Sequence, residues 1–339
     1  MKAFVLESRP GGYSLRDVPD PKPGPGEVVM RVGASSLNRV DVYMRDNGAG
    51  VTHKLPLILG VDGAGEIVEA PASSALKVGQ RVILATATCG KCRYCLAGQQ
   101  PLCLRPNIPG EMRDGNHAEY VALPPHMLTP LPDEVDMIDA GVLGAAYATA
   151  YRMMFSKKAL RPSETVLVVG VGGGVAVACL QFAKMIGARA LVTSSSDAKL
   201  ERAKALGADG LINYRTEPVA ERVMDMTHGE GVDMVIDSSG ADSWGQSLRS
   251  LRRGGRLITC GATTGSNPPV EIQRMFIRQL EVYGSTGSNA DEMRETLALL
   301  ARGVFRPVID ETFKLKDVGA AYDKLFKAEQ FGKIAITMD

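Results

Sequence analysis

The chain has 339 residues, with 39 Lys plus Arg against 38 Asp plus Glu and a net charge of +1. That balance excludes a broad basic face for nucleic acid or an anionic membrane. A 45% hydrophobic and 23% charged composition excludes wholesale disorder, and the length suggests two domains, each able to build its own core.

The opening MKAFVLESRPGG has too short an apolar run for a signal segment, so the expected location is cytoplasmic. Residues 1 to about 125 read as β-rich. Short β-branched runs at Val28–Val32, Gly65–Val68, Arg81–Leu84 and Ala118–Ala122 are separated by Pro and Gly clusters such as PDPKPGPGE. Within this block Cys89, Cys92, Cys95 and Cys103 cluster around Gly90 and Gly98. Four thiolates at that spacing suit a closed, tetrahedral structural Zn²⁺ site, with no open position for a substrate. Cys179 and Cys260 sit in apolar patterns and read as packing residues.

From about 147 to 286 apolar strands alternate with helical segments. The strands are expected at Val166–Val169, Ala190–Thr193, Leu211–Asn213, Met234–Asp237, Arg256–Cys260 and Glu281–Gly284, with a helix over Asp197–Leu206 closed by Gly207. Such alternation predicts a doubly wound parallel sheet. The uncharged stretch 165–183 is long enough to span a bilayer, yet it carries Gly170, Gly172, Gly173 and Gly174. It reads as a buried strand, a turn and a helix, not as a membrane span.

That glycine turn lies where a dinucleotide pyrophosphate would meet a helix N-terminus. Its spacing reads as Gly170-x-x-Gly173-x-x-Ala176, with Ala in place of the last packing glycine. The second strand ends in Thr193, Ser194, Ser195 and Ser196, followed by Asp197 and Lys199, while Tyr214 and Arg215 end the third. Hydroxyls with a cation suit a 2′-phosphate, so NADP(H) is expected over NAD. The closing strand, Lys333–Thr337, is expected to rejoin the first block, making the alternating region an insertion.

Together the glycine turn, the four-cysteine lobe and the discontinuous order resemble the medium-chain dehydrogenase/reductase superfamily over essentially the whole chain. The resemblance implies an α/β fold, with a Rossmann sheet inserted in a discontinuous GroES-like β-rich domain. Its expected parts are a GroES-like domain at 1–146 with a zinc lobe at about 89–103, a Rossmann domain at 147–286, and a return over 287–339. Active sites in that superfamily lie in the cleft between the two domains.

The segments LNRVDVY, from Leu37 to Tyr43, and LGVDGAG, from Leu59 to Gly65, are most similar to the quinone oxidoreductase (zeta-crystallin-like) branch. TSSSDAK and INYR resemble that branch's NADPH contacts, mapping onto Ser195, Lys199 and Tyr214. The cofactor contacts so implied are Thr149, Gly170, Gly172, Gly173, Gly174, Val175, Ser194, Ser195, Lys199, Tyr214 and Gly261, and Tyr147 is expected beside the nicotinamide. One structural Zn per chain and a homodimer paired through about 280–285 are also implied, with a tetramer as the further alternative.

Zinc alcohol dehydrogenases carry a Cys ligand where this chain has Asn38, a His-Glu pair where it has Val61-Asp62, and a third ligand near Ala145. The histidines His53, His117, His126 and His228 fall at none of these positions. No catalytic Zn is therefore expected. Asn38, Asp41 and Tyr43 are the expected catalytic residues: Asn38 and Tyr43 as donors to a carbonyl oxygen, Asp41 as their orienting partner. Asp62 is expected to be a buried structural carboxylate. The expected activity is NADPH-dependent hydride transfer to a small-molecule quinone or α,β-unsaturated carbonyl compound. The alternatives are an NADP-dependent alcohol or aldehyde dehydrogenase and a non-catalytic NADPH-binding protein.

Overall fold

Residues 1–48 and 54–338 are described in a computed structural model of the chain. The segment containing His53 lies outside the described residues. Contacts divide the chain into one unit of Met1–Ala148 with Gly287–Asp339, and a second of Thr149–Thr286.

The second unit is a six-stranded parallel sheet. Its strands in spatial order are Gly210–Asn213, Arg189–Ser194, Thr165–Val168, Val232–Asp237, Leu251–Thr259 and Glu281–Gly284. Numbered along the chain this is 3-2-1-4-5-6, the order in which winding reverses between the first and fourth strands and leaves a crevice at their carboxyl ends. The apolar runs pack as one cluster that includes Leu167, Leu191, Ile212, Val235 and Leu257. The helix Asp197–Ala205 takes Ser196 as its N-cap, whose hydroxyl accepts from the Lys199 N–H, and Gly207 turns past its end at φ 92°.

The first unit is built on a seven-stranded sheet. The long strand Val28–Leu37 pairs with Gly63–Glu69, with Tyr120–Leu123 and with Lys333–Thr337. Ile334 faces Leu37 and Thr337 faces Ala34, so the last strand of the fold rejoins the sheet begun by the first block. Leu37, Val42, Leu59, Tyr322, Ile334 and Ile336 share one buried cluster there. The turns Leu143–Tyr147 and Arg152–Lys157 are π-helical, with Ala148–Tyr151 α-helical between them. No helix among the described residues is long and apolar enough to cross a membrane.

Candidate active site

Asn38 ends the Val28–Leu37 strand and caps the helix Arg39–Asp46, so it sits where the backbone turns from extended to helical. Its backbone N–H donates to Asp41 Oδ2 at 2.7 Å, the reciprocal half of a capping box. Asp41 thus orients Asn38 through the main chain. Its other oxygen, Oδ1, is buried without a hydrogen-bond partner. Burial pushes the Asp41 carboxyl up to about 8, against the opposing N–H bond from Asn38.

The Asn38 side chain is held on three sides. Nδ2 donates to Asp62 Oδ2 at 3.0 Å and to Ser36 O at 3.2 Å, while Oδ1 accepts from Lys333 Nζ at 2.5 Å. Both amide hydrogens expected to reach a substrate carbonyl are therefore engaged within the protein, and the amide's remaining capacity is as an acceptor. Tyr43 lies half-buried one turn further along the same helix.

Asp62 is buried, as expected, and heavily bonded. It accepts from the Ser36 N–H at 3.1 Å, the Ser36 hydroxyl at 2.9 Å and the Ala145 N–H at 3.4 Å. Its backbone carbonyl accepts from Ser35 Oγ at 2.6 Å. Behind Ser36, His117 is fully buried with Nε2 3.4 Å from Ser36 O and Nδ1 3.3 Å from the Tyr322 hydroxyl. Burial lowers His117 to about 4, so it is neutral at ordinary pH.

Sequence reasoning assigned Lys333 only to a strand, yet it completes this network. The available signal was a lysine opening the otherwise apolar run KIAIT. Tyr147 is fully buried in the first unit, stacked on Phe305 at 5.3 Å, with its hydroxyl accepting from Val308 N at 2.8 Å.

The four cysteine sulfurs lie within 4.8 Å of one another. Pairwise Sγ separations of 3.5, 3.5, 4.0 and 4.0 Å bracket the about 3.8 Å edge of a tetrahedron with ~2.3 Å Zn–S bonds. Backbone N–H groups of Leu104 and Cys95 lower the Cys92 thiol to about 6, favouring the thiolate a metal needs. The cluster resembles a structural zinc site.

In the second unit the glycine turn joins Thr165–Val168 to the helix Gly174–Met185. Gly170 has φ 75° and Gly172 φ 134°, conformations a side chain resists, and a Cβ on Gly173 would meet no atom within 4 Å. Val175 is in the first turn of this helix. The Gly170 N–H donates to Thr193 Oγ1 at 3.0 Å, tying the turn to the end of the second strand. A Cβ on Gly172 would lie 2.9 Å from Lys199 Cδ, so Lys199 lies against the turn. Ser194 is buried, Ser195 is half-buried and Tyr214 is exposed. Asp197 is turned aside: its carboxylate accepts from Asn213 Nδ2 at 2.7 Å. Thr149 is buried at the start of this unit, and Gly261 opens an exposed loop after the fifth strand.

An open backbone cradle at a helix N-terminus, flanked by hydroxyls and a lysine, fits a dinucleotide phosphate. The alcohol dehydrogenase GroES-like domain family matches residues 24–133, and the zinc-binding dehydrogenase family matches residues 174–302. An alcohol dehydrogenase of Geobacillus stearothermophilus is 31% identical over 343 residues, covering 100% of this chain and 99% of its own. An acryloyl-coenzyme A reductase of Metallosphaera sedula is 30% identical over 342 residues, covering 99% and 100%. A crystal structure of an NAD-dependent alcohol dehydrogenase superposes with a TM-score of 0.94 at 35% identity, covering 100% of both chains.

Proposed function

Because the chain belongs to the medium-chain dehydrogenase/reductase superfamily and is an NAD(P)-dependent oxidoreductase of that type, we propose that it uses NADPH to reduce a quinone or an α,β-unsaturated carbonyl compound without a catalytic metal. The observation that carries this reading is the network around Asn38. At the positions where zinc alcohol dehydrogenases place metal ligands, Val61 and Ala145 have no ligating side chain. Asn38 is committed to Lys333, Asp62 and Ser36. A catalytic zinc takes three protein ligands, and this set does not supply them.

Oxidising an alcohol needs strong stabilisation of a developing alkoxide, which a Lewis acid would supply. A conjugated acceptor needs less. When bound, NADPH supplies the hydride. As the acceptor's β-carbon takes it, the π electrons move onto the carbonyl oxygen, and a proton then completes the α-carbon. The Metallosphaera relative is named for reducing an acryloyl thioester, itself a conjugated carbonyl. For the cofactor, Lys199 beside Gly172 and the serines at the strand tip favour a 2′-phosphate, and Asp197 is drawn off toward Asn213. Cys89, Cys92, Cys95 and Cys103 would hold one structural Zn per chain, which shapes the lobe and takes no part in the chemistry.

Support for a homodimer comes from the sheet edge: Glu281–Gly284 is the last strand in the order of the parallel sheet, Val282 on it is exposed, and so are Ile272, Phe276 and Ile277 on the preceding helix Ile272–Arg278, apolar surface that a second copy would cover.

The test pairs zinc stoichiometry by elemental analysis with NADPH oxidation against a quinone, an enone and an aldehyde. One zinc per chain with quinone or enone turnover is the expected result. Two zincs with aldehyde turnover would overturn it in favour of an alcohol dehydrogenase, the activity named for several relatives. NADPH binding with no turnover would leave a binding protein.

A further inference from the structure

Asp237 ends the fourth strand of the parallel sheet, Val232–Asp237, and is fully buried at the sheet's carboxyl edge. Its Oδ1 accepts from the N–H groups of Ser239 at 2.8 Å and Gly240 at 3.2 Å, while Oδ2 accepts from the Ser243 and Ser247 hydroxyls, each at 2.7 Å. Two donors converge on each oxygen, the pattern of a carboxylate, which only accepts. All four donors are neutral, so they solvate the negative charge without cancelling it. In a buried setting that charge acts with less screening than it would in water. It reaches Cys260, just past the fifth strand: burial first, and then the Asp237 carboxylate, push that thiol up to about 12.

The turn that Asp237 anchors touches the loops on either side of it. A Cβ on Gly170 would lie 3.1 Å from Ser239 Oγ, and one on Gly261 would lie 2.6 Å from Ser238 O. Thr264 donates to Ser239 O through its N–H at 2.8 Å and its hydroxyl at 3.0 Å. The turn therefore bridges the glycine turn after the first strand and the loop that Gly261 opens after the fifth. In a sheet of order 3-2-1-4-5-6 a dinucleotide lies across the crevice, one mononucleotide to each half. With the 2′-phosphate assigned to Ser194, Ser195 and Lys199 at the tip of the second strand, the nicotinamide half falls to strands four to six, where Asp237 lies.

Resting on the NADP(H) reading above, we propose that Asp237 poises the bound cofactor for hydride donation, its buried negative charge favouring the cationic oxidised nicotinamide over the neutral reduced ring. Hydride leaves with both electrons of its C–H bond, so the ring gains a positive charge as the acceptor gains the electron pair. A fixed negative charge on the ring's side of the crevice stabilises that outcome at no reorganisation cost. Bound NADPH is thereby the stronger reductant. The same charge repels the cofactor's phosphates, but equally in both redox forms, so the repulsion cancels in the ratio of their affinities.

Calorimetric titration of the wild type, Asp237→Asn and Asp237→Ala with NADP⁺ and with NADPH tests this. In Asp237→Asn the side-chain oxygen can still accept from both N–H groups and the amide can donate to both hydroxyls, so only the charge is lost. That variant should bind NADP⁺ about tenfold more weakly, the scale of one partly screened charge, with NADPH affinity changed by no more than roughly threefold. Asp237→Ala also loses the anchor of the turn, so it should weaken both forms, and NADP⁺ the more by the same factor of about ten. Should Asp237→Asn fail to fold, Asp237→Ser, which keeps an acceptor for the turn and lacks the charge, is titrated in its place with the same expectation.

A ratio of NADP⁺ to NADPH affinity that removing the charge leaves unchanged overturns the proposal. This holds whether both forms bind as before or both weaken alike, the second being the mark of an anchor alone. A wild type that binds neither NADP⁺ nor NADPH overturns the cofactor reading itself, and the role of Asp237 falls with it.

Discussion

Asp41 shows what one buried carboxyl does to the pH dependence of the whole fold. It has no exposed surface, one oxygen bonded to the Asn38 N–H and one without a partner. Its folded pKa, pushed up to about 8, lies above the 3.8 of an unperturbed aspartate. The folded chain therefore holds a proton that the unfolded chain releases across that interval. The resulting stabilisation is complete below about 3.8 and is lost as pH rises through about 8. Asp41→Asn keeps an acceptor for Asn38 and abolishes the titration. Scanning calorimetry at pH 5.5 and 8.5 should show a Tm that falls less in the variant than in the wild type, with the variant the more stable at the higher pH. Equal slopes would mean that Asp41 does not titrate in this range. The opposite effect of His117, whose lowered pKa costs stability as pH falls, is common to both chains and cancels. At this scale the sequence was legible in part. Asn38 and Asp41 stood out because Asn38 falls where zinc alcohol dehydrogenases carry a cysteine ligand and Asp41 lies beside it in LNRVDVY. Which atoms each would bond was not visible, because Lys333 and Asp62 arrive from remote strands.

Elements were easier to read than contacts. The six parallel strands were expected near their observed places because buried strands are unbroken apolar runs bounded by Gly. The Leu251–Thr259 strand begins five residues before Arg256, where its expected counterpart starts, since the polar LRRGG segment gives no hydrophobic signal. The two π-helical turns were also invisible, because a hydrogen-bond shift of one residue leaves the apolar pattern almost unaltered. Arg256 illustrates a cost hidden inside an apolar strand. It is buried, bonds Glu164 at 2.6 and 3.0 Å, and donates to Lys158 O and Ala159 O. Glu164→Ala leaves that guanidinium without its carboxylate, so a loss of about 3–5 kcal/mol is expected in urea denaturation. A loss below about 1 kcal/mol, the range of exposed pairs, would mean that solvent reaches Arg256.

At the scale of the whole molecule, the proposed dimer rests on the edge strand Glu281–Gly284 and the helix before it. Phe276→Glu together with Val282→Lys should convert a dimer to a monomer in sedimentation velocity, since each apolar side chain buried at a contact contributes about 1.5–3 kcal/mol. A wild type that sediments as a monomer would refute the dimer. The closing strand Lys333–Thr337 was expected to rejoin the first block, and it pairs with Val28–Leu37 there.

The same plan sets an order of assembly. The unit Thr149–Thr286 is contiguous, whereas the sheet of the other unit takes Ile309–Lys314 and Lys333–Thr337 from late in the chain. Asn38 meets Lys333 across 295 residues of sequence. On the ribosome, the nucleotide-binding half can therefore form while Asp62 still lacks its counter-charge. The network around Asn38 is among the last features to mature, and a nascent chain halted short of Lys333 would leave Asn38 Oδ1 without its buried donor.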